Sequence, residues 1–180
     1  LIAAGPGLTV ICSSSNPVQL REMMTSFDPA SIRGIVSFGV AGGLNPVLRS
    51  GDVVVASEIL AGEKRWSTAA ALTENLVALP TRRRRQIVAG VLAGVEEVVT
   101  GQVAKAALRA TTGADAVDME SHIAARYAEH YGLPFAAVRV ISDPAHRALP
   151  ELTMNAIKPN GNVDMWKVMR GIARNPKTIP

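Results

Sequence analysis

Three short stretches carry side chains that could do chemistry: "VDMES" (117–121), "VRVISDPAH" (138–146) and "SFGVAGGLNP" (37–46). In the first, Asp118 and Glu120 flank Met119 where an apolar run gives way to a helical pattern. Strand alternation puts both carboxylates on one face until the helix redirects Glu120. At a first helical turn the helix dipole favours an ionised Glu120. An ionised carboxylate offers only acceptors, which suits the adjacent hydroxyls of a sugar. The structural alternative is that Glu120 and Ser121 cap the helix, with Met119 as a core filler. In the second stretch Asp143 ends a strongly apolar strand before Pro144. Burial would disfavour its charged form, which suits a general acid, although Asp-Pro is also a common turn signal. The third reads as a glycine-bearing turn after a strand. Gly39, Gly42 and Gly43 would let backbone amides approach a ligand, or simply make a tight turn. The stretch is neither G-x-G-x-x-G nor a P-loop, which disfavours a dinucleotide or ATP site.

The elements that must position these residues alternate between β-branched apolar runs and helical periods. "LTVICSS", "IRGIVSFG", "GDVVVASEIL", "EEVVTG", "ADAVDM" and "PFAAVRVISD" read as strands. "PVQLREMMTSF", "RRRRQIVAGVLAG", "VAKAALRATTG", "ESHIAARYAEHYG" and "VDMWKVMRGIARN" read as helices, with Gly113 and Gly132 closing two of them. The polar stretch from Trp66 to Thr81 reads as a helix flanked by loops. This alternation predicts a three-layer α/β/α fold on a mostly parallel mixed central sheet, with ligands beyond the carboxyl ends of strands.

The bulk properties narrow the function classes. The chain has 180 residues, 48% of them apolar, which suits one domain spanning 1–180 with a sizeable core. It begins at Leu1 inside an apolar stretch, so trimming at one or both ends is expected. A net charge of +4 is mildly basic, far from a nucleic-acid signature. The lone Cys12 excludes an intramolecular disulfide framework and fits the cytoplasm. No apolar run reaches the length of a membrane span. His122, His130 and His146 lack metal-ligand spacing, so no metal is expected. "TRRRR" (81–85) reads as a solvated helix start. The tail pattern of Val163, Trp166, Met169 and Ile172 reads as a packing or oligomer face, with an anionic or membrane-surface contact as the alternative for both.

Taken together and in order, "FGVAGGLNPVLRSGDVVVASE", "AVDMES" and "PFAAVRVISD" resemble the nucleoside phosphorylase superfamily, which includes the methylthioadenosine/S-adenosylhomocysteine nucleosidases. The stretches "IAAGPGLTV", "TGADAVDMESHIAARYA" and "ISDPAHRALPEL" look most like its hopanoid-associated branch, linked to adenine release from adenosylhopane. The resemblance implies cleavage of a purine N-glycosidic bond. Glu120 would hold the ribose hydroxyls, Met119 would pack on the sugar, and Asp143 would protonate the leaving purine. Val40, Ala41 and Gly42 would line sugar and base beside Asp118, while Ser142 would place Asp143. Val103, in a short loop of Gln102, Val103 and Ala104, would offer apolar contact to the base.

The resemblance also marks departures. Relatives hold phosphate with an arginine and a serine where this chain has Ser37 and Val40, so phosphate as co-substrate is in doubt and water stands as the alternative nucleophile. No cofactor is implied. The expected partners are a purine nucleoside, lipid-linked if it is adenosylhopane, and further copies of the chain, with transient contact to the inner membrane surface. A small-molecule nucleosidase and a non-catalytic nucleoside- or lipid-binding module are the competing readings.

Overall fold

The computed structural model describes residues 2–5, 7–13, 16–78 and 85–148, and it divides into two compact units. In the unit that contains residues 1–26, β1 (Ile2–Gly5) pairs antiparallel with β2 (Leu8–Ile11), and α1 (Pro17–Thr25) follows. The Asn16 side chain accepts from the Gln19 amide at 3.1 Å, and Pro17 sits in the first turn where its missing N–H is not needed. The expected tail helix and residues 81–84 lie outside the described residues.

The unit Phe27–Ala148 is built on strands β3 (Ile35–Gly43), β4 (Val53–Ala61), β5 (Lys64–Ser67), β6 (Ile87–Gly94), β7 (Ala116–Asp118) and β8 (Phe135–Asp143). Helix α2 (Ala70–Val77) follows β5, α3 (Gln102–Thr112) follows β6, and α4 (Ser121–His130) joins β7 to β8. The expected mixed α/β architecture on a central mixed sheet is the one observed. β3–β8, β4–β6 and β6–β7 pair parallel, whereas β3–β7, β4–β8 and β4–β5 pair antiparallel. These pairings close on themselves through β4, β6, β7, β3 and β8, with β5 added outside. Val54, Val55, Ala56, Ile59, Leu92, Ala136, Ala137 and Ile141 are buried on these strands, as near-continuous apolar runs predict. Helix α4 lies against β3, β4, β5, β6 and β8 through Ala124, Ala125 and Ala128, whose small side chains permit close approach.

Four sequence expectations are corrected. "IVAGVLAG" is strand β6, not a helix. Two glycines in eight residues cost a helix about 1 kcal/mol each, while its β-branched residues suit a buried strand. Both glycines are also required by packing. A Cβ on Gly90 would lie 2.8 Å from Asp115 Oδ2, and one on Gly94 would lie 2.5 Å from the His122 Cβ. "EEVVTG" forms no strand, and Gln102, Val103 and Ala104 form the first turn of α3 instead of a loop. Finally, "SFGVAGG" is no turn: β3 runs through Gly43, and none of its glycines has a positive φ. Gly42 makes room for Asp143, whose Oδ2 would lie 3.3 Å from a Cβ there, whereas a Cβ at Gly39 would meet the Arg139 guanidinium at an ordinary contact distance of 3.8 Å.

Gly94→Ala is expected to lower the unfolding free energy by about 1–3 kcal/mol, because its methyl group must displace His122 in the first turn of α4. Denaturant titration checks this, and Gly62→Ala, where a Cβ meets nothing within 4 Å, separates crowding from backbone strain.

Candidate active site

The three stretches meet at Gly42, which pairs with Val117 of β7 on one side and Asp143 of β8 on the other. A Cβ at Gly42 would lie 3.3 Å from Asp143 Oδ2 and 3.4 Å from Val117 Cγ1. β3 and β8 are parallel, so Asp143 stands at the carboxyl end of both. β7 runs the other way and carries Asp118 back along β3.

Asp118 is half of a buried ion pair with Arg139, each side chain only 1% exposed. Arg139 donates from Nε at 2.7 Å and from Nη2 at 2.6 Å to Asp118 Oδ2. Its remaining donors reach the Ser37 hydroxyl at 2.7 Å and the Ser37 and Val138 carbonyls at 2.9 Å. Asp118 Oδ2 also accepts from the Ser121 amide at 3.0 Å and hydroxyl at 2.7 Å. Asp118 therefore caps α4. Its Oδ1 is buried with no partner among the described residues.

With the cap supplied by Asp118, the Glu120 side chain makes no capping hydrogen bond. It occupies the position before the first helical residue, not the first turn, and it is half-buried. Burial raises its pKa above the usual carboxylate value, the Asp118 charge adds to this, and Arg139 opposes it. The expected stabilisation of its ionised form by the helix dipole is thus outweighed by desolvation. Met119, half-buried, separates the two carboxylates.

Asp143 is buried, as the apolar strand predicts, but it is not alone. Ser142 Oγ lies 2.5 Å from Asp143 Oδ1 and 3.1 Å from the Ala41 carbonyl, so one hydroxyl proton faces two oxygens. Ser50 Oγ donates to the Ser142 carbonyl at 2.9 Å and holds the strand end. On the other side, Lys105 Nζ donates to Asp143 Oδ2 in a short ion pair. Lys105 comes from α3 and is fully buried.

Of the other expected contacts, Ala41 is buried and faces the same side of β3 as Ser37 and Gly39. Val40 points to the opposite face and is 62% exposed, leaving only its backbone near the meeting point. Val103 is 85% exposed in the first turn of α3, where Gln102 donates to the His146 carbonyl and ties that turn to the segment after Asp143. Sequence reasoning missed Arg139 and Lys105. A lone charge in the apolar run "AAVRVIS" was the available signal for Arg139, because an isolated buried charge requires a partner. Lys105 sits among alanines in an amphipathic helix and gave none. His122, 2% exposed, lies 3.1 Å from Glu96 Oε1 through Nε2. Among the described residues no group of His, Cys, Asp or Glu could hold a metal ion, and no helix is long and apolar enough to cross a membrane. A cavity of about 360 Å³ lies at the opposite end of β8, around Phe135, Trp66 and Glu129. Its carboxylate is already taken by Trp66 Nε1 at 2.7 Å, so the chemistry is placed at Gly42 instead.

The sequence model of the phosphorylase superfamily matches residues 12–163. Among solved structures, the chain is similar to the 5′-methylthioadenosine/S-adenosylhomocysteine nucleosidase of Colwellia psychrerythraea 34H in complex with adenine. The identity is 21% over 77% of this chain and 66% of that chain, with a TM-score of 0.68. It is similar to the corresponding nucleosidase of Campylobacter jejuni at 21% identity, over 72% of this chain and 65% of that one, with a TM-score of 0.61. It is also similar to the futalosine hydrolase of Helicobacter pylori strain 26695 at 24% identity, over 71% and 65%, with a TM-score of 0.61. The chain spans just under two thirds of the length of each.

Two stability outcomes follow from the geometry. Arg139→Met is expected to cost about 3–5 kcal/mol in denaturant titration, because it strands a buried Asp118 carboxylate. Glu120→Gln should do the reverse above pH 4.5. Because the folded-state pKa of Glu120 is raised, its contribution is fully present below the unfolded value and is lost as pH rises through the folded one. Thermal melts should show the variant and wild type alike at pH 4 and the variant higher at pH 7.

Proposed function

Because the chain belongs to the phosphorylase superfamily, we propose that it cleaves the N-glycosidic bond of a purine nucleoside. Asp143 protonates the leaving base and Glu120 holds the ribose. The observation that carries this reading is the pairing of Gly42 with Val117 and Asp143, which puts a buried carboxyl group at a strand end beside the strand that leads to Glu120, a carboxylate with no capping duty. Breaking the bond builds positive charge on the ribose and negative charge on the base. A desolvated Glu120 is poorly placed in the resting site, where Asp118 repels it. It gains most when the ribose turns cationic, which is transition-state stabilisation in the strict sense. Asp143 holds its proton on Oδ1 when the Ser142 hydroxyl turns to the Ala41 carbonyl, and it passes that proton to a ring nitrogen of the purine.

Water is the proposed nucleophile. Ser37, at one of the phosphate positions of relatives, is engaged by Arg139, and the Val40 side chain faces away with no hydroxyl to offer. The named activities of the similar proteins, hydrolysis of methylthioadenosine or futalosine, support a hydrolytic reaction. Adenosylhopane is the proposed substrate, from the branch resemblance. Val36, Phe38 and Val40 are exposed along one face of β3 and lead toward Gly42, which suits a large apolar substituent on the ribose. Assembly into a homo-oligomer in the cytoplasm, with transient contact to a membrane surface carrying the lipid, belongs to the same proposal.

Adenine release by the full-length protein from adenosylhopane and from methylthioadenosine, each with and without phosphate, tests this. The expected result is phosphate-independent adenine from adenosylhopane, reduced roughly 10²–10⁴-fold in Asp143→Asn. Release that requires phosphate would make the enzyme a phosphorylase. No adenine from either nucleoside would contradict the reading.

A further inference from the structure

Lys105 is a fully buried cation that the proposed chemistry leaves unused. Its Nζ faces four oxygens: Asp143 Oδ2, the Asp143 carbonyl at 3.4 Å, the Pro144 carbonyl at 3.2 Å and the Arg147 carbonyl at 3.0 Å. All four are acceptors when Asp143 is ionised. A neutral amine would aim its lone pair at an oxygen, so the surroundings require the ammonium form with its three donors. Burying a lysine without water costs several kcal/mol, and one surface helix pair would not justify it. Among the described residues, the carboxyl group within its reach is that of Asp143.

We propose that Lys105 is a positioning residue for base release. It fixes Asp143 Oδ2, leaves Oδ1 as the proton-donating oxygen, and stabilises the carboxylate formed when the proton leaves. This rests on the reading of Asp143 as the acid. In the step, the Oδ1–H bond breaks and an N–H bond forms on the purine. The electron pair of the C1′–N bond goes to the base, and Asp143 becomes a carboxylate. The proton that water loses on adding to C1′ restores the carboxyl group, so no other reactant is needed. Proton transfer thus turns a carboxylic acid beside an ammonium into an ion pair, so Lys105 stabilises the charge that forms on Asp143 as the base leaves. The groups that face the pair are Lys105 from α3 and the Ser142 hydroxyl from β8, while Pro144 and Arg147 contribute only carbonyls.

The test compares two leaving groups in the full-length protein. Adenine from methylthioadenosine needs a proton to leave, whereas nitrophenolate from p-nitrophenyl β-ribofuranoside does not. Lys105→Met is expected to lower kcat on methylthioadenosine by about 10²-fold and kcat on the nitrophenyl riboside by no more than about 3-fold. Asp143→Asn should show the same split. Should the methionine variant fail to fold, Lys105→Ala with added ethylammonium serves instead. Ethylammonium should restore the methylthioadenosine rate, and tetraethylammonium, which has no N–H, should not. Equal losses on both substrates, no loss on either, or rescue by tetraethylammonium would overturn the inference while leaving the glycosidase reading intact. A wild-type protein that releases neither leaving group would overturn both together.

Discussion

The buried pair between Asp118 and Arg139 is the interaction on which the rest of this arrangement hangs. Two charges removed from water are tolerable only when good geometry and further hydrogen bonds offset the lost hydration. Arg139 uses its guanidinium on Asp118, on Ser37 and on two carbonyls, so β7, β3 and β8 are tied together by one side chain. Asp118 in turn supplies the hydrogen bonds that start α4. The pair thus adds a side-chain tie to the backbone pairing that holds the short strand β7 between β3 and β6.

The pair also sets three carboxylates apart by their partners. Asp118 is committed to structure by a cation and a helix start. Asp143 is committed to a second cation, Lys105, and to the Ser142 hydroxyl. Glu120 has neither cap nor cation as its main neighbour, and desolvation dominates its protonation. Glu120 thus differs from both aspartates in its partners, the kind of contrast that acid chemistry and cation stabilisation call for. The glycine at 42 serves that division by providing room, which matters more here than conformational freedom.

Much of this was legible in the sequence where local chemistry and periodicity agree. Helix α3 with its Gly113 cap, helix α4, and strands β4 and β8 follow the expected pattern. The positions of Asp118, Glu120 and Asp143 at element ends were also visible. What could not be read was the closure of the sheet, because register and direction are set by long-range pairing. β6 was misread for that reason: its last three residues are all buried, so no period of two announces the strand. "SFGVAGG" looked like a turn because glycines in strands are selected by neighbours that are distant in sequence. Lys105 was invisible because its burial depends on Asp143, 38 residues further along the chain.

A crystal structure of the full-length protein with adenine bound tests the central claim most directly, namely that chemistry is placed where Gly42 joins β7 and β8. The expected result is a purine ring nitrogen within about 2.6–3.2 Å of an Asp143 carboxyl oxygen, with Glu120 on the side from which ribose would extend. Adenine bound in the cavity at Trp66 and Glu129, or anywhere out of reach of Asp143, would contradict it.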